Sequence, residues 1–306
     1  MILAAGLTPA YQQMLVFDNF RPGEVNRARE VYKCASGKVL NVGLALHHLG
    51  GSPMTLAPIG GLEGESIDRE LSALGVRHRW VWSPMATRVC TTILDRSNRT
   101  ATELVENAAP LEAAQLDQFR AAYSEIAGQA HMAVLSGSLP AGTPKTFYRD
   151  LIGSGPARVI LDASGQELLD ALPLRPFCIK PNREELAKTL GKELNTEEDL
   201  RAAFQEVRRM GAEWAVVSQG HNALWASGPQ NNYKFHPAQV ATVNPIASGD
   251  CLAAGIAWAL HDGMEMIEAI RFGMAAAADN AAMMLPARLD LGRVRALQSQ
   301  ITWEQA

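Results

Sequence analysis

Short runs of apolar residues alternate with longer segments of helical period along almost the whole chain. The short runs have the length of buried strands, whereas the longer segments repeat apolar residues every three to four positions, as amphipathic helices do. This alternation is typical of a parallel sheet with helices on both faces, so the pattern predicts a doubly wound, mainly parallel α/β fold. Such folds bind ligands at the carboxyl ends of their strands.

The predicted strands are 2–6, 54–59, 91–94, 132–135, 158–162, 177–180 and 214–218. The predicted helices are 39–49, 66–74, 113–127, 144–152, 183–190, 196–210, 249–260 and 265–284. Because no internal repeat, low-complexity tract or linker divides these segments, we interpret residues 1–306 as a single domain.

Two segments, about 11–34 and 87–106, do not follow the alternation. They are rich in Val, Thr, Tyr and Arg with little helical period, and we expect them to leave the main sheet and pair as a small flap, here called the lid. An apolar face formed by Val31, Tyr32, Val89 and Ile93 would need a cover, either a substrate or a second subunit. An ordinary surface excursion is the alternative interpretation.

The stretch 243–250 reads V-N-P-I-A-S-G-D and opens a helix of small residues. Asn-Pro blocks a helix before it, so the backbone amides of Ala247, Ser248 and Gly249 stand at a helix start. Amides in that position attract phosphate or developing negative charge. Asp250, which follows them, is either a helix cap or a proton acceptor.

A second small-residue turn, Ser36-Gly37-Lys38, opens the predicted helix 39–49. A lysine at the mouth of a helix can hold an anionic group, although a tight turn with a solvated lysine has the same pattern. Asn41, one turn further along, either reaches a ligand hydroxyl or faces solvent. Ser138, in the turn after strand 132–135, either binds polyol oxygens or only ends the strand.

Two other strand ends carry polar residues. Asn182 and Glu185 share one face at the start of helix 183–190, where oxygen ligands can hold Mg²⁺ through water beside nucleotide phosphates. The same pair can form a capping box, and both interpretations are compatible. Ser218 and Gly220 would place a hydroxyl and flexible backbone near a phosphate chain.

Composition narrows the range of functions. The chain is 47% hydrophobic and 20% charged with a net charge of −4, which is ordinary for a globular protein and argues against nucleic acid or acidic membranes as partners. Four separated cysteines without a C-x-x-C pair indicate reduced thiols, and we expect a cytoplasmic protein. The motifs of P-loop, zinc-protease, serine-hydrolase and dinucleotide-binding proteins are missing from the sequence.

In this order, the motifs resemble those of the PfkB (ribokinase-like) carbohydrate kinases, and within them the 1-phosphofructokinase and tagatose-6-phosphate kinase branch. The K-P-N-x-E-E-L block at 180–186 and the S-G-D helix start at 248–250 are the most specific parts. The resemblance also covers 7–10, 23–27, 36–42, 87–88, 102–104, 136–140, 161–165, 218–220 and 244–247. It implies the ribokinase-like fold with a small β-sheet lid.

The resemblance further implies an enzyme that transfers the γ-phosphoryl group of ATP to a hydroxyl of a phosphorylated ketohexose, namely fructose 1-phosphate, fructose 6-phosphate or tagatose 6-phosphate. ATP and Mg²⁺ would be the cofactors, with room for a monovalent cation, and the chain would form a homodimer through the lid. A kinase of an unphosphorylated sugar, or a catalytically weak or silent binding protein, is the alternative.

The roles implied by the resemblance fall into four groups. Asp250 would be the general base, and Ala247, Ser248 and Gly249 would stabilise the transferring phosphoryl group. Lys180, Asn182, Ser218 and Gly220 would bind ATP, with Asn182 and Glu185 organising Mg²⁺ through water. Arg27, Lys38 and Arg88 would bind the phosphate of the sugar, and Gln12, Gly37, Asn41 and Ser138 would bind the rest of it.

Three positions depart from the family pattern. Gln12 replaces an aspartate, Val39 replaces a glycine, and Ala247 replaces the first glycine of the G-A-G-D run. If position 247 needs a positive φ, alanine costs about 1–2 kcal/mol there. The departures lie on the sugar side and at the helix start, so they bear on substrate identity and on rate.

Overall fold

The computed structural model describes residues 1–156 and 158–306. Its strands are β1 (Ile2–Ala5), β2 (Ala10–Phe17), β3 (Glu30–Ser36), β4 (Met54–Ile59), β5 (His78–Trp82), β6 (Val89–Asp95), β7 (Thr100–Val105), β8 (Met132–Ser136), β9 (Arg158–Asp162), β10 (Cys178–Ile179), β11 (Trp214–Val217), β12 (Leu224–Ser227), β13 (Asn232–His236) and β14 (Thr302–Gln305). Its α-helices are α1 (Lys38–His48), α2 (Gly61–Ala73), α3 (Ala113–Ala127), α4 (Phe147–Gly153), α5 (Gln166–Ala171), α6 (Arg183–Leu190), α7 (Glu197–Met210), α8 (Ser248–His261), α9 (Met266–Ala281) and α10 (Leu291–Gln298).

The main sheet has ten strands among the described residues, in the order β14-β13-β12-β11-β10-β9-β8-β1-β4-β5. The strands from β11 to β5 in this order run parallel, whereas β12, β13 and β14 extend the sheet antiparallel. The chain passes from β1 to β4 on one side and later returns to β8 on the other. This reversal opens a crevice at the carboxyl ends of β1 and β8.

Two hydrophobic layers cover the faces of the main sheet, one built with α1, α8 and α9 and the other with α3, α4 and α7. Every residue of β1 and β8 is buried, as expected for parallel strands with helices on both sides. Helices α8 and α9 approach closely, because a Cβ added to Gly255 would lie 2.7 Å from the Cα of Gly273. This tight packing fixes the start of α8 against the sheet.

The fold confirms the predicted doubly wound architecture. Strands β4 and β9 and helices α3 and α6 have the predicted bounds, and the other predicted segments differ by a few residues at their ends. Sequence patterns missed β5, β12, β13, β14, α5 and α10. Helix α10 buries only Val294, so it shows little hydrophobic period. Within the described residues, no helix has the length and apolar character needed to cross a membrane.

The two segments predicted to form the lid make a separate four-stranded sheet in the order β3-β2-β6-β7. Its register places Val31 and Ile93 opposite Leu15, on one face. Tyr32 pairs with Met14 and therefore lies on the other face, so the prediction of a shared apolar face is wrong for Tyr32. Successive side chains of a strand alternate between faces, which separates these two neighbours.

Candidate active site

A cleft of about 760 Å³ lies between the lid and the carboxyl ends of the parallel strands. It collects most of the residues that the sequence selected, although they come from distant parts of the chain. Those residues are Gln12, Gly37, Lys38, Asn41, Arg88, Lys180, Asn182, Glu185, Ser218, Gly220, Ala247, Ser248, Gly249 and Asp250. The two helix starts at Gly37 and Ala247 line the cleft without a side-chain cap.

Arg27 and Ser138 do not line this cleft, contrary to the prediction. Arg27 is exposed on the loop between β2 and β3. Because these strands run outward from the cleft, at roughly 3.3 Å per residue, their far ends lie about 20 Å away. Ser138 is exposed as well, and its carbonyl accepts a hydrogen bond from the Thr8 hydroxyl at 3.2 Å.

Asp250 is buried, with 6% of its surface exposed, and its carboxylate contacts helix α1. Asn41 Nδ2 donates a hydrogen bond to Asp250 Oδ2 at 2.7 Å, and Ser36 Oγ donates to Asn41 Oδ1 at 3.0 Å. Burial raises the pKa of Asp250 to about 6, against the opposing charge of Lys38. The side chain does not cap α8, whose N-cap residue is Ala247. The structure therefore does not support the interpretation of Asp250 as a helix cap.

Asp162, at the end of β9, joins two lysines of the cleft. Its Oδ1 lies 3.2 Å from Lys38 Nζ and its Oδ2 lies 3.3 Å from Lys180 Nζ. Burial opposes ionisation of Asp162, but Lys180 and Lys38 hold the pKa of this carboxyl below its usual value. The same ion pair raises the pKa of Lys38. Asp162 thus holds both lysine side chains beside the two helix starts.

Asn182 and Glu185 form the capping box that the sequence predicted. Glu185 N donates to Asn182 Oδ1, and Asn182 N donates to Glu185 Oε2, each at 2.8 Å. Glu185 Oε1 lies 3.8 Å from Lys38 Nζ and faces the cleft. Ser218 lies beside Asn182 through an isolated parallel bridge, so the end of β11 and the start of α6 meet at one edge.

Ala247 has the left-handed conformation that the sequence raised as a condition, with φ of 69° and ψ of 2°. The Ser248 amide donates to the Pro245 carbonyl at 3.2 Å within this turn. No such backbone acceptor is found for the amides of Ala247 and Gly249 in the described part of the chain. Lys180 Nζ would lie 3.5 Å from a Cβ added to Gly249, so a cation and a helix start adjoin each other.

The side chain of Arg88 is hydrogen-bonded to backbone carbonyl groups. Its guanidinium donates to the carbonyls of Thr8, Pro9 and Glu106 at 3.0, 3.3 and 3.1 Å. These bonds tie the lid to the turn after β1, which shapes the cleft. Gln12 Nε2 is also occupied, because it donates to Thr92 Oγ1 at 2.6 Å.

The family model for pfkB carbohydrate kinases matches residues 2–281. The chain belongs to the pfkB family. Phosphofructokinase-2 from Escherichia coli, in a structure with fructose-6-phosphate, is 26% identical over 98% of this chain and 99% of that chain, with a TM-score of 0.87. The same protein in complex with potassium has a TM-score of 0.89 at 26% identity, over 98% of this chain and 99% of that one.

The pfkB fold is also seen in a Thermotoga maritima protein described as a "possible 1-phosphofructokinase". It is 21% identical, covers 100% of this chain and 99% of its own, and has a TM-score of 0.91. At that identity the match bears on the fold alone. It confirms the ribokinase-like architecture expected from the sequence motifs.

In this pfkB kinase, two buried polar residues in or beside the cleft were not assigned by the sequence analysis. Asp162 lies inside the D-A-S-G run that supported the resemblance, and its position at the end of a buried strand was the available signal. Asn280 of α9 contacts the turn before α8 through Ile246 and Ser248. Its helix carries only small and apolar neighbours on that face, so no sequence motif marks it.

Proposed function

We propose that this pfkB kinase transfers the γ-phosphoryl group of ATP to a hydroxyl of a phosphorylated ketohexose, with Asp250 as the general base. The observation that carries the proposal is the buried Asp250 carboxylate, held by Asn41 in a cleft that also contains Lys38, Lys180 and the start of α8. The relative from Escherichia coli, whose structure holds fructose-6-phosphate, supports a sugar phosphate as the acceptor.

The chemistry follows from the arrangement. Phosphoryl transfer requires positioning, neutralisation of charge on the equatorial oxygens, and a group that takes the proton of the attacking hydroxyl. Asp250 takes that proton as the O–P bond forms, and the bridging oxygen leaves with ADP. The amides of Ala247 and Gly249, with Lys180 beside them, stabilise the charge that develops on the phosphoryl oxygens.

ATP would lie along Lys180, Asn182, Ser218 and Gly220, which follow one edge of the cleft. The donor set fits Mg²⁺ held through water: Asn182 Oδ1 and Glu185 Oε2 already accept backbone hydrogen bonds, and Glu185 Oε1 faces the cleft. Bound there with the nucleotide, Mg²⁺ would neutralise phosphate charge. The potassium complex of the Escherichia coli relative supports a monovalent cation as a further cofactor.

Binding the phosphate group of the sugar substrate requires a cation, and the cleft of one chain contains few cationic side chains that are not already paired. Its cations are Lys38, Arg88 and Lys180, and its acids are Glu103, Asp162, Glu185 and Asp250. Both lysines are paired with Asp162, and Arg88 is bonded to carbonyls. We therefore propose a dimer through the lid, in which Arg27 serves the cleft of the partner subunit. A tetrameric form of phosphofructokinase-2 from Escherichia coli supports association of such chains.

The same charge balance favours one second candidate, a kinase of an unphosphorylated sugar. A neutral sugar needs hydroxyl partners rather than a phosphate-binding cation. The Asp250 carboxylate can supply them, and so can Oε1 of Gln12, whose Nε2 is the atom bonded to Thr92. This candidate requires no contribution from a partner subunit.

Measurement of ADP release over a panel of sugars and sugar phosphates tests both candidates. We expect turnover with at least one phosphorylated ketohexose, and a loss of about 10²–10⁴-fold in kcat for Asp250→Asn. Turnover with free sugars alone would replace the first candidate by the second. Calorimetric binding of ATP or sugar phosphate, without ADP from any sugar and without an effect of Asp250→Asn, would contradict both and indicate a silent binding protein.

A further inference from the structure

The side chain of Asn280, near the end of α9, bonds to both loops that border the start of α8. Its Nδ2 donates to the Ile246 carbonyl at 2.7 Å and to Ser248 Oγ at 3.0 Å. Its Oδ1 accepts the Ala287 amide at 2.7 Å. Asn280 has no exposed surface, so water does not compete for these bonds.

Both loops contain an alanine in a conformation that alanine disfavours. Ala247 has φ of 69° and Ala287 has φ of 59°. A left-handed alanine costs about 1–2 kcal/mol, and such a conformation persists only where its surroundings impose it. The bonds of Asn280 reach the two residues that flank Ala247, together with the amide of Ala287 itself. Asn280 therefore restrains both strained turns at once.

We propose that Asn280 is a positioning residue for phosphoryl transfer, which holds the strained Ala247 turn so that the amides at the start of α8 meet the transferring group. The inference rests on the proposed kinase function. It explains how this chain keeps a left-handed residue at 247 without glycine. The Ser248 hydroxyl, which lines the cleft, is oriented by the same amide.

The restraint is separate from the packing of the helices. Helices α8 and α9 already contact each other through Gly255 and Gly273. Asp279, the neighbour of Asn280, is also buried, but it serves α10: its carboxylate bonds to Arg293 Nε at 2.6 Å and to the Asp290 amide at 2.9 Å. Asp279→Asn is therefore a matched control that perturbs the same helix without touching the Ala247 turn.

The test compares Asn280→Ala and Asn280→Leu with Asp279→Asn in the full-length protein. Removing the restraint should lower kcat about tenfold to a hundredfold, which is less than the roughly 10²–10³-fold loss of an oxyanion donor itself, because the amides remain but are less well placed. KM for ATP and for the sugar should change less than about twofold. Amide hydrogen exchange at 246–249 should rise in both Asn280 variants. Asp279→Asn should lower the melting temperature and leave kcat and the exchange at 246–249 unchanged.

A second comparison asks whether Asn280 acts through the strain at position 247. In an Ala247→Gly background the left-handed turn costs little. The fold-loss in kcat caused by Asn280→Ala should therefore be at least about threefold smaller in that background than in the protein with Ala247. Additive losses would overturn the proposal, as would a lower melting temperature with unchanged kcat, or failure of both Asn280 variants to fold. The exchange measurement needs no turnover, so an inactive wild-type protein would count against the kinase function alone.

Discussion

Asn41 on α1 donates a 2.7 Å hydrogen bond to the carboxylate of Asp250 on α8, across 209 positions of sequence. Ser36 fixes the orientation of that amide by donating to its oxygen, which leaves the nitrogen to face Asp250. The carboxylate is therefore buried yet held by a neutral donor. Burial raises the pKa of this carboxyl to about 6, above that of an exposed aspartate, which is the property that the proposed role as general base requires.

The first prediction concerns pH. Burial raises the pKa of Asp250 to about 6, and a base must be deprotonated to act, so kcat/KM should fall about tenfold per unit below that pH. Above it the rate should reach a plateau. A pH profile of kcat/KM measures this limb. A profile that is flat down to pH 4.5 would show that the ionisation of Asp250 does not control kcat/KM.

The second prediction concerns Asn41. Its hydrogen bond favours the charged form of Asp250, so Asn41→Ala should raise the pKa of this carboxyl further and move the acid limb to higher pH. Comparison of the two pH profiles detects the shift. Asn26→Ala is the control, because Asn26 lies in the loop between β2 and β3 and, among the described residues, its side chain bonds to Arg21 and Glu24 of the same loop. An unchanged limb in Asn41→Ala would show that the bond does not tune Asp250.

The third prediction concerns Asp162. Asp162→Asn leaves the buried Lys180 without its ion-pair partner, which should lower the free energy of unfolding by about 3–5 kcal/mol. Lys38 adds less, because it is partly exposed. Urea unfolding measures the loss, with Glu167→Gln, which breaks a pair with the exposed Lys145, as a control expected to cost under about 1 kcal/mol.

The ion pair also makes stability depend on pH. Asp162 has a lowered pKa in the folded protein, so its stabilisation is present above the unfolded value of 3.8 and is lost as the pH falls through the folded value. The difference in the free energy of unfolding between wild type and Asp162→Asn should therefore become smaller only in strong acid. Equal losses for Asp162→Asn and Glu167→Gln at neutral pH would contradict the assignment of a buried pair.

The fourth prediction concerns Gly37, at the start of α1. Its φ is 88°, and an added Cβ would lie 2.8 Å from Ala10 N and 2.9 Å from the Thr8 carbonyl. Gly37→Ala should cost more stability than Gly50→Ala, where φ is 83° and nothing lies within 4 Å, which should cost about 1 kcal/mol. Gly37→Ala should also raise KM for the sugar. Thermal unfolding and kinetics measure both effects, and equal costs at the two sites would contradict the close approach.

Local patterns predicted much of the fold and most of the cleft. Helix α6 has the predicted bounds, and Asn182 with Glu185 forms the predicted capping box, because both depend on contacts within one turn of chain. Arg27 was misplaced because its distance from the cleft depends on how far β2 and β3 extend before they turn. Asp162 and Asn280 were not assigned because their partners lie on other strands and helices.

The sequence alone determined the alternation of strands and helices, the chemical types of the polar groups at the strand ends, and the membership of a kinase family. Hydrophobic residues repeat every two residues in strands and every 3.6 in helices, and these periods depend only on residues close together in the sequence. They can therefore be recognised without coordinates. Only the tertiary structure decided that Asn41 meets Asp250, that Asp162 pairs two lysines, and that Ala247 is left-handed. Those outcomes depend on how separate helices and strands pack, which no local period specifies.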